Sequence, residues 1–523
     1  MMAQVWTQPP PQQPSGRRSI LVRVSHFPKA RKVSWYAPCE SAAIDSMLRA
    51  VCGIAPLQQY LLLDSSNAAV AVSSSLPADQ TYEVFILGSA SGAADSRPPA
   101  IAIIDPISTG AVLAKRLYDL GYAIVRVWSD VVPEELKAFV DPRATIKFAA
   151  TVMHSTGAVA VTVAELLALD VEVREVMVGC ETGVLLGDLL SETLGLRGNG
   201  TARSRERRNK FYQTEALRTA GLNACGQMLA NSMEEVEQFL RERPKTNPFK
   251  AVVKPVEGAG SDGVFTCDSP EAVRKAFTAL EGTKNVLGLT NYAVLLQEYL
   301  RGDEYVVDTV SRSGVHKCVA IWKYDKRMFN GSPVVYFGIR LMSVDDEPQL
   351  RAMVEYTFKV LDALGIRNGS VHSELKTEER GPVLIEANCR LHGGEGTWAP
   401  MVETCLGYSQ VSAMIDAYLD PPAFAAIPAY PDNFKAFATE ADMQSNVSGI
   451  LKEVDPEALA KIKALSSYRD GFLAVTVGER IEKTIDLLTS CGNYNLVNQS
   501  KEQLDIDYEE FHRIVGKGIF RVE

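Results

Sequence analysis

Polar and apolar positions alternate through RRSILVRVS (residues 17–25) as in a half-buried strand, and the signal returns in KVSWYAP, QYLLLD and YEVFIL around the helical stretch ESAAIDSMLRAVCG. This order predicts a small α+β unit over residues 19–88, behind a Pro/Gln-rich tail (1–18) expected to be disordered. SASGAADSRPPA has the small, polar, proline-bearing composition of a linker, placed at 89–99. IAIIDPISTGAVLAKRLYDLGYAIVRVWS then reads strand, glycine-containing turn, helix, strand. That βαβ unit predicts a parallel sheet, which VREVMVGCETGVLLGDLLSETLGLRGN extends to about residue 200. The turn DPISTG lacks the G-x-G-x-x-G spacing, so it reads as a scaffold turn and not as a dinucleotide site. From 201, RSRERRNKFYQTEALRTAGL opens a basic helix, FKAVVKPVEGAGSDGVFTCDS is strand, glycine loop, strand, and the alternation continues to 419. PPAFAAIPAYPD marks a boundary near 430. Strand-like GFLAVTVG and helical KEQLDIDYEEFHRIVG predict a folded cap over 431–523.

The element order of residues 19–88 resembles a ubiquitin-like β-grasp module. A length of 523 residues exceeds one ordinary core and suggests about three or four domains. Hydrophobic residues at 46% and charged residues at 23% are the proportions of a soluble globular protein, and a net charge of −10 argues against nucleic acid as the main partner. No apolar run is long enough for a membrane span, and MMAQVWTQPPPQQPSGRR has no apolar core, so neither a membrane segment nor a secretory signal is expected. Nine cysteines with no C-x-x-C pair read as reduced thiols of a cytoplasmic protein and not as a zinc site.

Three constellations carry chemistry. In VVKPVEGAGSDGV (252–264), Lys254 ends a strand and Gly258, Gly260 and Gly263 follow, a loop whose N–H groups can wrap an anion. No G-K-[ST] follows, so it is not a P-loop. VLLQEYLRGDEYVVD (294–308) reads as a hairpin with charged rims. Gln297 in it can donate and accept, as reading an adenine edge requires, and Glu304 can accept from ribose hydroxyls. In the third, GSVHSELK and PVLIEANCR flank the turn TEERG. A turn centred near 379–381 sets Glu374 opposite Glu386, His372 opposite Asn388 and Ser370 opposite Arg390, with Val371, Leu375, Ile385 and Ala387 mostly on the other face. Two carboxylates about 5 Å apart repel by roughly 3 kcal/mol at an effective dielectric near 20. A shared proton or a divalent cation relieves that cost, and Glu, Glu and Asn supply the hard oxygens that Mg²⁺ accepts.

Lysine, glycine cradle, adenine-edge segment and oxygen metal site, in that order, resemble the ATP-grasp superfamily over roughly residues 100–500, most nearly the carboxylate–amine ligases that join amino acids into dipeptides. The resemblance implies a multidomain α/β and α+β chain. A Rossmann-like pre-ATP-grasp domain (100–200) would precede an ATP-grasp domain (201–430, lid subdomain about 211–300) and the C-terminal cap. It further implies that Lys210 and Lys254 contact the ATP phosphates, and that Glu257, Gly258, Gly260, Ser261 and Gly263 form a lid over the triphosphate. Gln297 would face adenine (many relatives carry Glu there), Glu298 and Leu300 would offer backbone groups, and Glu304 would hold the ribose. Glu374, Glu386 and Asn388 would bind Mg²⁺, with Mn²⁺ as an alternative, and Arg390 would stabilise the transferring phosphate. ANCRLHGGEG departs from the shorter N-x-R-x-G-G of many relatives, which places His392 and Trp398 where substrate selectivity is often decided. His372 or His392 is the candidate base for the amine, and Lys323, Lys326 or Arg327 of IWKYDKR is a candidate for a substrate carboxylate or phosphate.

The expected activity is therefore ATP-dependent ligation of a small-molecule carboxylate to an amine through an acyl phosphate. The partners are small molecules, and a homodimer is an expected assembly because dimers are common among similar ligases. Two further readings fit the same motifs: a ligase or carboxylase of this fold with another acceptor, such as a purine-pathway amine or bicarbonate, and a nucleotide-binding regulator without catalysis. The near-complete set Lys210, Lys254, Glu374, Glu386, Asn388 and Arg390 weighs against the regulator.

Overall fold

The computed structural model describes residues 16–24, 31–37, 41–52, 54, 60–65, 70–72, 76–77, 80–86, 97–134, 137, 145–243, 248–258, 263–285, 288–487 and 489–523. The expected tail up to residue 15, the linker at 89–96, Gly260 and Ser261 lie outside them.

The N-terminal alternation becomes β1 (Gly16–Val24) and β2 (Arg31–Ala37), followed by α1 (Ser41–Cys52), β3 (Tyr60–Leu63) and β4 (Thr81–Ile86). The sheet order is β2-β1-β4-β3, with β1 and β4 parallel and the other pairs antiparallel. Ile20, Val22, Val33, Tyr82 and Val84 close its core against Ile44 and Leu48 of α1.

The apolar run at 99–104 is β5 (Pro99–Ile104), the centre of a wholly parallel sheet ordered β7-β6-β5-β8 with β6 (Ala123–Trp128), β7 (Ala150–Met153) and β8 (Glu172–Val178). Helices on both faces explain why β5 is apolar throughout. Ala100, Ala102 and Ile104 pack toward α3 (Val159–Leu167) and α4 (Val184–Thr193). Ile101 and Ile103 join α2 (Thr109–Asp119) in a core shared with the central body.

The basic segment forms two helices, α5 (Ser204–Arg208) and α6 (Lys210–Thr219). Asn209 separates them because its Oδ1 accepts from the N–H groups of Phe211 (3.1 Å) and Tyr212 (3.4 Å) as an N-cap. Next come β9 (Gln227–Ala230), α7 (Met233–Glu242), β10 (Ala251–Pro255), β11 (Phe265–Cys267), α8 (Pro270–Leu280) and β12 (Val294–Glu298), whose sheet is ordered β11-β10-β12-β9.

The main sheet is antiparallel. Its strands are β13 (Glu304–Arg312), β14 (Val315–Phe329), β15 (Ser332–Met342), β16 (Gly369–Glu378), β17 (Gly381–Asn388), β18 (Phe437–Asp442), β20 (Tyr468–Leu473) and β22 (Gly492–Asn498), ordered β17-β16-β13-β14-β15-β18-β22-β20. Helix α9 (Leu350–Ala363) covers one face at the β13–β16 side; α10 (Ala399–Leu406), α11 (Gln410–Leu419) and α12 (Pro421–Ala426) adjoin the core on the other. A small sheet of β19 (Gly449–Val454), β21 (Arg480–Ile481) and β23 (Phe520–Val522), with α13 (Pro456–Lys463) and α14 (Lys501–Val515), ends the chain.

Two expectations change. VLLQEYLRGDEYVVD is not a hairpin: β12 lies in the small sheet and β13 in the large one. Val294 and Leu296 are held in the core under α7 and α8, whereas Tyr305 and Val307 pack under α9, so the two strands serve different cores. The C-terminal residues do more than cap the body, since β18, β22 and β20 complete the main sheet, and only GFL of GFLAVTVG pairs in β20. Among the described residues no helix is long and apolar enough to cross a membrane.

Candidate active site

Strands β16 and β17 pair with Glu374 opposite Glu386 and His372 opposite Asn388. The turn is tighter than expected, with Glu378 facing Gly381, and a bulge beside Leu375 absorbs the extra residue Ile385. Arg390 lies beyond the end of β17, so it has no ladder partner at Ser370. Val371, Leu375 and Ala387 enter the core under α9, whereas Ile385 packs beside Leu300 and Val383.

Positive charge gathers at the facing carboxylates. Lys210, at the start of α6, places Nζ 2.9 Å from Glu386 Oε2, and that ammonium also donates to Gly258 O (3.2 Å). Lys254 is fully enclosed; burial lowers its pKa, and Glu386 opposes that shift while Lys210 reinforces it. Burial alone would raise the Glu386 pKa, but Lys210 and Lys254 hold it down to about 2. Asn388 Nδ2 donates to Glu386 Oε1 (3.1 Å), which leaves its Oδ1 as a further hard acceptor. Two facing carboxylates and an amide oxygen fit a divalent cation.

Arg390 lies 3.4 Å from Glu181 Oε2, just beyond the C-terminal end of β8. Glu181 and Glu257 both lie 3.8 Å from Arg208, so alternating charges run from Arg390 to the glycine loop. Glu181 Oε2 and Arg208 Nη1 are buried and have no hydrogen-bond partner among the described residues, which marks this chain of charges as incomplete on its own. Gly263 has φ +68°, and a Cβ there would sit 2.8 Å from Leu280 Cδ2, so the loop's return requires glycine.

Asp308 on β13 organises the next layer. It faces His372 across the β13–β16 ladder and accepts from His372 Nδ1 (2.9 Å), His392 Nδ1 (2.8 Å) and Trp322 Nε1 (2.7 Å). Burial works against a charged His372, yet Asp308 and Glu374, the latter 3.3 Å from its Nε2, lift its pKa to about 9. Burial lowers the pKa of His392, so the second imidazole is held neutral beside the first. The anionic Asp308 accepts a hydrogen bond from the Nδ1–H of His392, which leaves Nε2 as the basic nitrogen. No sequence motif marks Asp308. Period-2 alternation from Glu304 places it on the site face, but its meeting with His372 depends on the non-local β13–β16 pairing.

At the other end of Lys254's strand, Gln297 lies on the same sheet face and donates to Gln227 Oε1 (3.1 Å). The Glu298 N–H donates to Gly226 O (2.8 Å) and its carboxylate accepts from the Gly226 N–H (2.7 Å), while Leu300 is buried beside Cys225. Glu304 is bound by Lys326 (2.5 Å), with Lys376 3.9 Å away. The basic run divides between the two faces. Lys323 pairs with Asp303 and Glu347 (2.8 Å each), and Arg327 pairs with Asp325 (2.6 Å), both away from the hairpin carboxylates. These two are corrected as substrate contacts, because they share the parity of Tyr305 on the reverse face; Lys326 alternates with Trp322 and Tyr324 onto the site face. Trp398 is also corrected as a substrate contact. It is enclosed, donates to Gly393 O (2.7 Å) and packs 5.2 Å from the His392 ring.

The turn DPISTG touches the site as well. Thr109 Oγ1 donates to the carbonyls of His392 (2.6 Å) and Gly393 (3.1 Å), so the parallel sheet positions the loop that follows Arg390.

Residues 247–398 match a family model described as an ATP-grasp domain. Dapdiamide A synthase of Enterobacter agglomerans is 30% identical over 423 residues, covering 79% of this chain and 96% of that protein. The chain belongs to the ATP-grasp carboxylate–amine ligases. Alanine–anticapsin ligase of Bacillus subtilis is 23% identical over 246 residues, covering 43% of this chain and 49% of the relative. The crystal structure of an L-amino acid ligase from Bacillus licheniformis superposes with a TM-score of 0.62 at 18% identity, covering 82% of this chain and all of that one. This ATP-grasp ligase thus has a mixed α/β fold of several sheets and forms C–N bonds at the expense of ATP.

Proposed function

We propose that this ligase activates a small-molecule carboxylate with ATP as an acyl phosphate, releases ADP, and passes the acyl group to an amine, the α-amino group of an amino acid in the simplest case, with loss of phosphate. The observation that carries this reading is the facing pair Glu374 and Glu386 beside Lys210 and Lys254. Relatives named for making dapdiamide A, for joining alanine to anticapsin and for ligating L-amino acids support an amide product.

Lys210, Lys254 and Arg390 would neutralise the transferring phosphoryl group by position and charge, the main catalytic work in such a transfer. Mg²⁺ held by Glu374, Glu386 and Asn388 would supply further charge neutralisation on the triphosphate. Residues 257–263 would cover the phosphates, and Gln297, the Glu298 and Leu300 backbone and Glu304 would hold the nucleoside. For Glu304 this requires Lys326 to share its carboxylate. His392, neutral and with Nε2 free of Asp308, fits the base that takes a proton from the amine better than His372, which is charged between two carboxylates.

The parallel order β7-β6-β5-β8 supports a Rossmann-like pre-ATP-grasp unit, and the order β2-β1-β4-β3 with a parallel β1–β4 pair supports a ubiquitin-like N-terminal module. Eight described cysteines, none in a disulfide, support a reducing, cytoplasmic setting.

The test incubates the protein with ATP, Mg²⁺ and pooled amino acids and follows ADP, AMP and phosphate. ADP release that requires both a carboxylate and an amine is expected. AMP release would contradict the mechanism, and tight ATP binding without turnover would favour a regulator.

A further inference from the structure

The face of the main sheet that bears Glu374 and Glu386 continues past Trp322 to a second acidic group on β18. Ala438 joins the core around Trp322 and Trp398 while Ala441 joins the core under α14, so Glu440 and Asp442 share the site face with Ala438. Register sets Asn495 opposite Glu440, Asn493 opposite Asp442, and Asp470 opposite Asn495. Each acid is only 7% exposed. Glu440 Oε2 accepts from Thr397 Oγ1 (3.0 Å) and the Asn493 side chain also donates to this carboxyl, but among the described residues neither acid has a cationic partner.

An independent observation comes from the facing amides. Asn495 is 2% exposed, and its Nδ2 donates to Asp470 Oδ1 (2.7 Å) and Thr397 O (2.9 Å). Its Oδ1 is buried and accepts from nothing among the described residues. The Oδ1 of Asn493 is buried and unpartnered in the same way. When ionised, the two carboxylates are acceptors like the two amide oxygens, and an ammonium brings three donors and no acceptor. The two buried amide oxygens lack a donor, which is unfavourable, and a cation with N–H groups would supply donors to them while balancing the charge of the two acids.

The group also lies in the right place. Thr397 belongs to the turn whose His392 meets Asp308 and whose Trp398 packs on Trp322. Two strand spacings, about 10 Å, separate β18 from Trp322's strand. The turn that follows Arg390 thus carries both His392, which meets Asp308, and Thr397, which meets Glu440.

We propose that Glu440, Asp442 and the side-chain oxygens of Asn493 and Asn495 form a subsite for a non-reacting ammonium group of one substrate. The ligase then selects a diamino acid, or another substrate with a positive charge remote from its reacting atoms. This rests on the ligase reading above, and its test is a binding measurement that needs no turnover.

The full chain with Mg²⁺ and a non-hydrolysable ATP analogue is titrated calorimetrically with L-lysine, L-ornithine, L-2,3-diaminopropionate and uncharged L-norleucine. At least one diamino probe should bind about tenfold or more tighter than norleucine, and the double variant Glu440→Gln/Asp442→Asn should lose that preference while binding the analogue unchanged. Should the double variant not fold, Glu440→Gln alone is expected to weaken the preferred probe. Equal binding of all four probes by the unaltered protein, or a preference retained in the variants, would overturn the subsite. Ca²⁺ binding that disappears in the double variant would make it a metal site and overturn it too. Failure of the ligase reading shows separately, as absence of ADP release.

Discussion

Glu386 is the residue on which the site's charges converge: both lysines stabilise its anion, and removing that anion leaves two neighbouring cations without their counter-charge. Glu386→Gln keeps the shape and removes the charge. Turnover should fall by about 10²–10³-fold while the melting temperature moves by only a few degrees, measured by ADP release and calorimetry. Asp308→Asn should act differently. It removes the anion that orients both imidazoles, so kcat should fall about tenfold or more with little change in the KM for ATP, and denaturant unfolding should show a loss of about 1–3 kcal/mol from the buried hydrogen bonds to His372, His392 and Trp322. At this scale the sequence is legible where partners are close along the chain. Glu374, Glu386 and Asn388 meet across a two-residue turn, so alternation alone places them together. Asp308, Glu181 and Glu440 reach the site only through pairings between distant strands and helices, which no local pattern records.

Among the elements, α2 matters more than a scaffold turn would suggest. Its first turn sits against the end of β8 so closely that a Cβ on Gly110 would lie 2.7 Å from Gly179 Cα, backbone against backbone, with no side chain that can move aside. Gly110→Ala should therefore destabilise the protein by about 1–3 kcal/mol in denaturant titrations. It should also lower turnover, because Thr109 holds the carbonyls of His392 and Gly393. Individual strands and helices are readable from period and turn residues, as β5, α2 and α14 illustrate. Their partners are less so. The segment 294–308 has the pattern of a hairpin, but its two halves bury their apolar residues in separate cores, and only those cores distinguish a hairpin from a crossing between sheets.

For the whole molecule, two buried carboxylates leave opposite marks on stability. Glu386, held down to about 2, contributes stability that is present above the ordinary carboxylate range near 4.5 and lost as pH falls toward 2. Burial, with Asp470 adding to it and hydrogen bonds from Thr397 and Asn493 opposing, pushes Glu440 up to about 7. The folded state therefore binds a proton between about 4.5 and 7 that the unfolded chain does not, and stability falls as pH rises through that window. Relative to Glu440→Gln, the unaltered protein should lose about 1–3 kcal/mol between pH 5 and 7.5, seen as a falling melting temperature that the variant does not share. The sheet that joins these sites runs from β17 to β20 and draws on strands from residue 304 to residue 498, which is why the fold family was legible and the extent of its catalytic face was not. The central claim is that the carboxylate is activated as an acyl phosphate on this face. It is tested most directly by supplying ATP, Mg²⁺ and amino acids labelled with ¹⁸O in their carboxylates: transfer of ¹⁸O into the released phosphate, alongside ADP, is the predicted result, and ¹⁸O in AMP would contradict it.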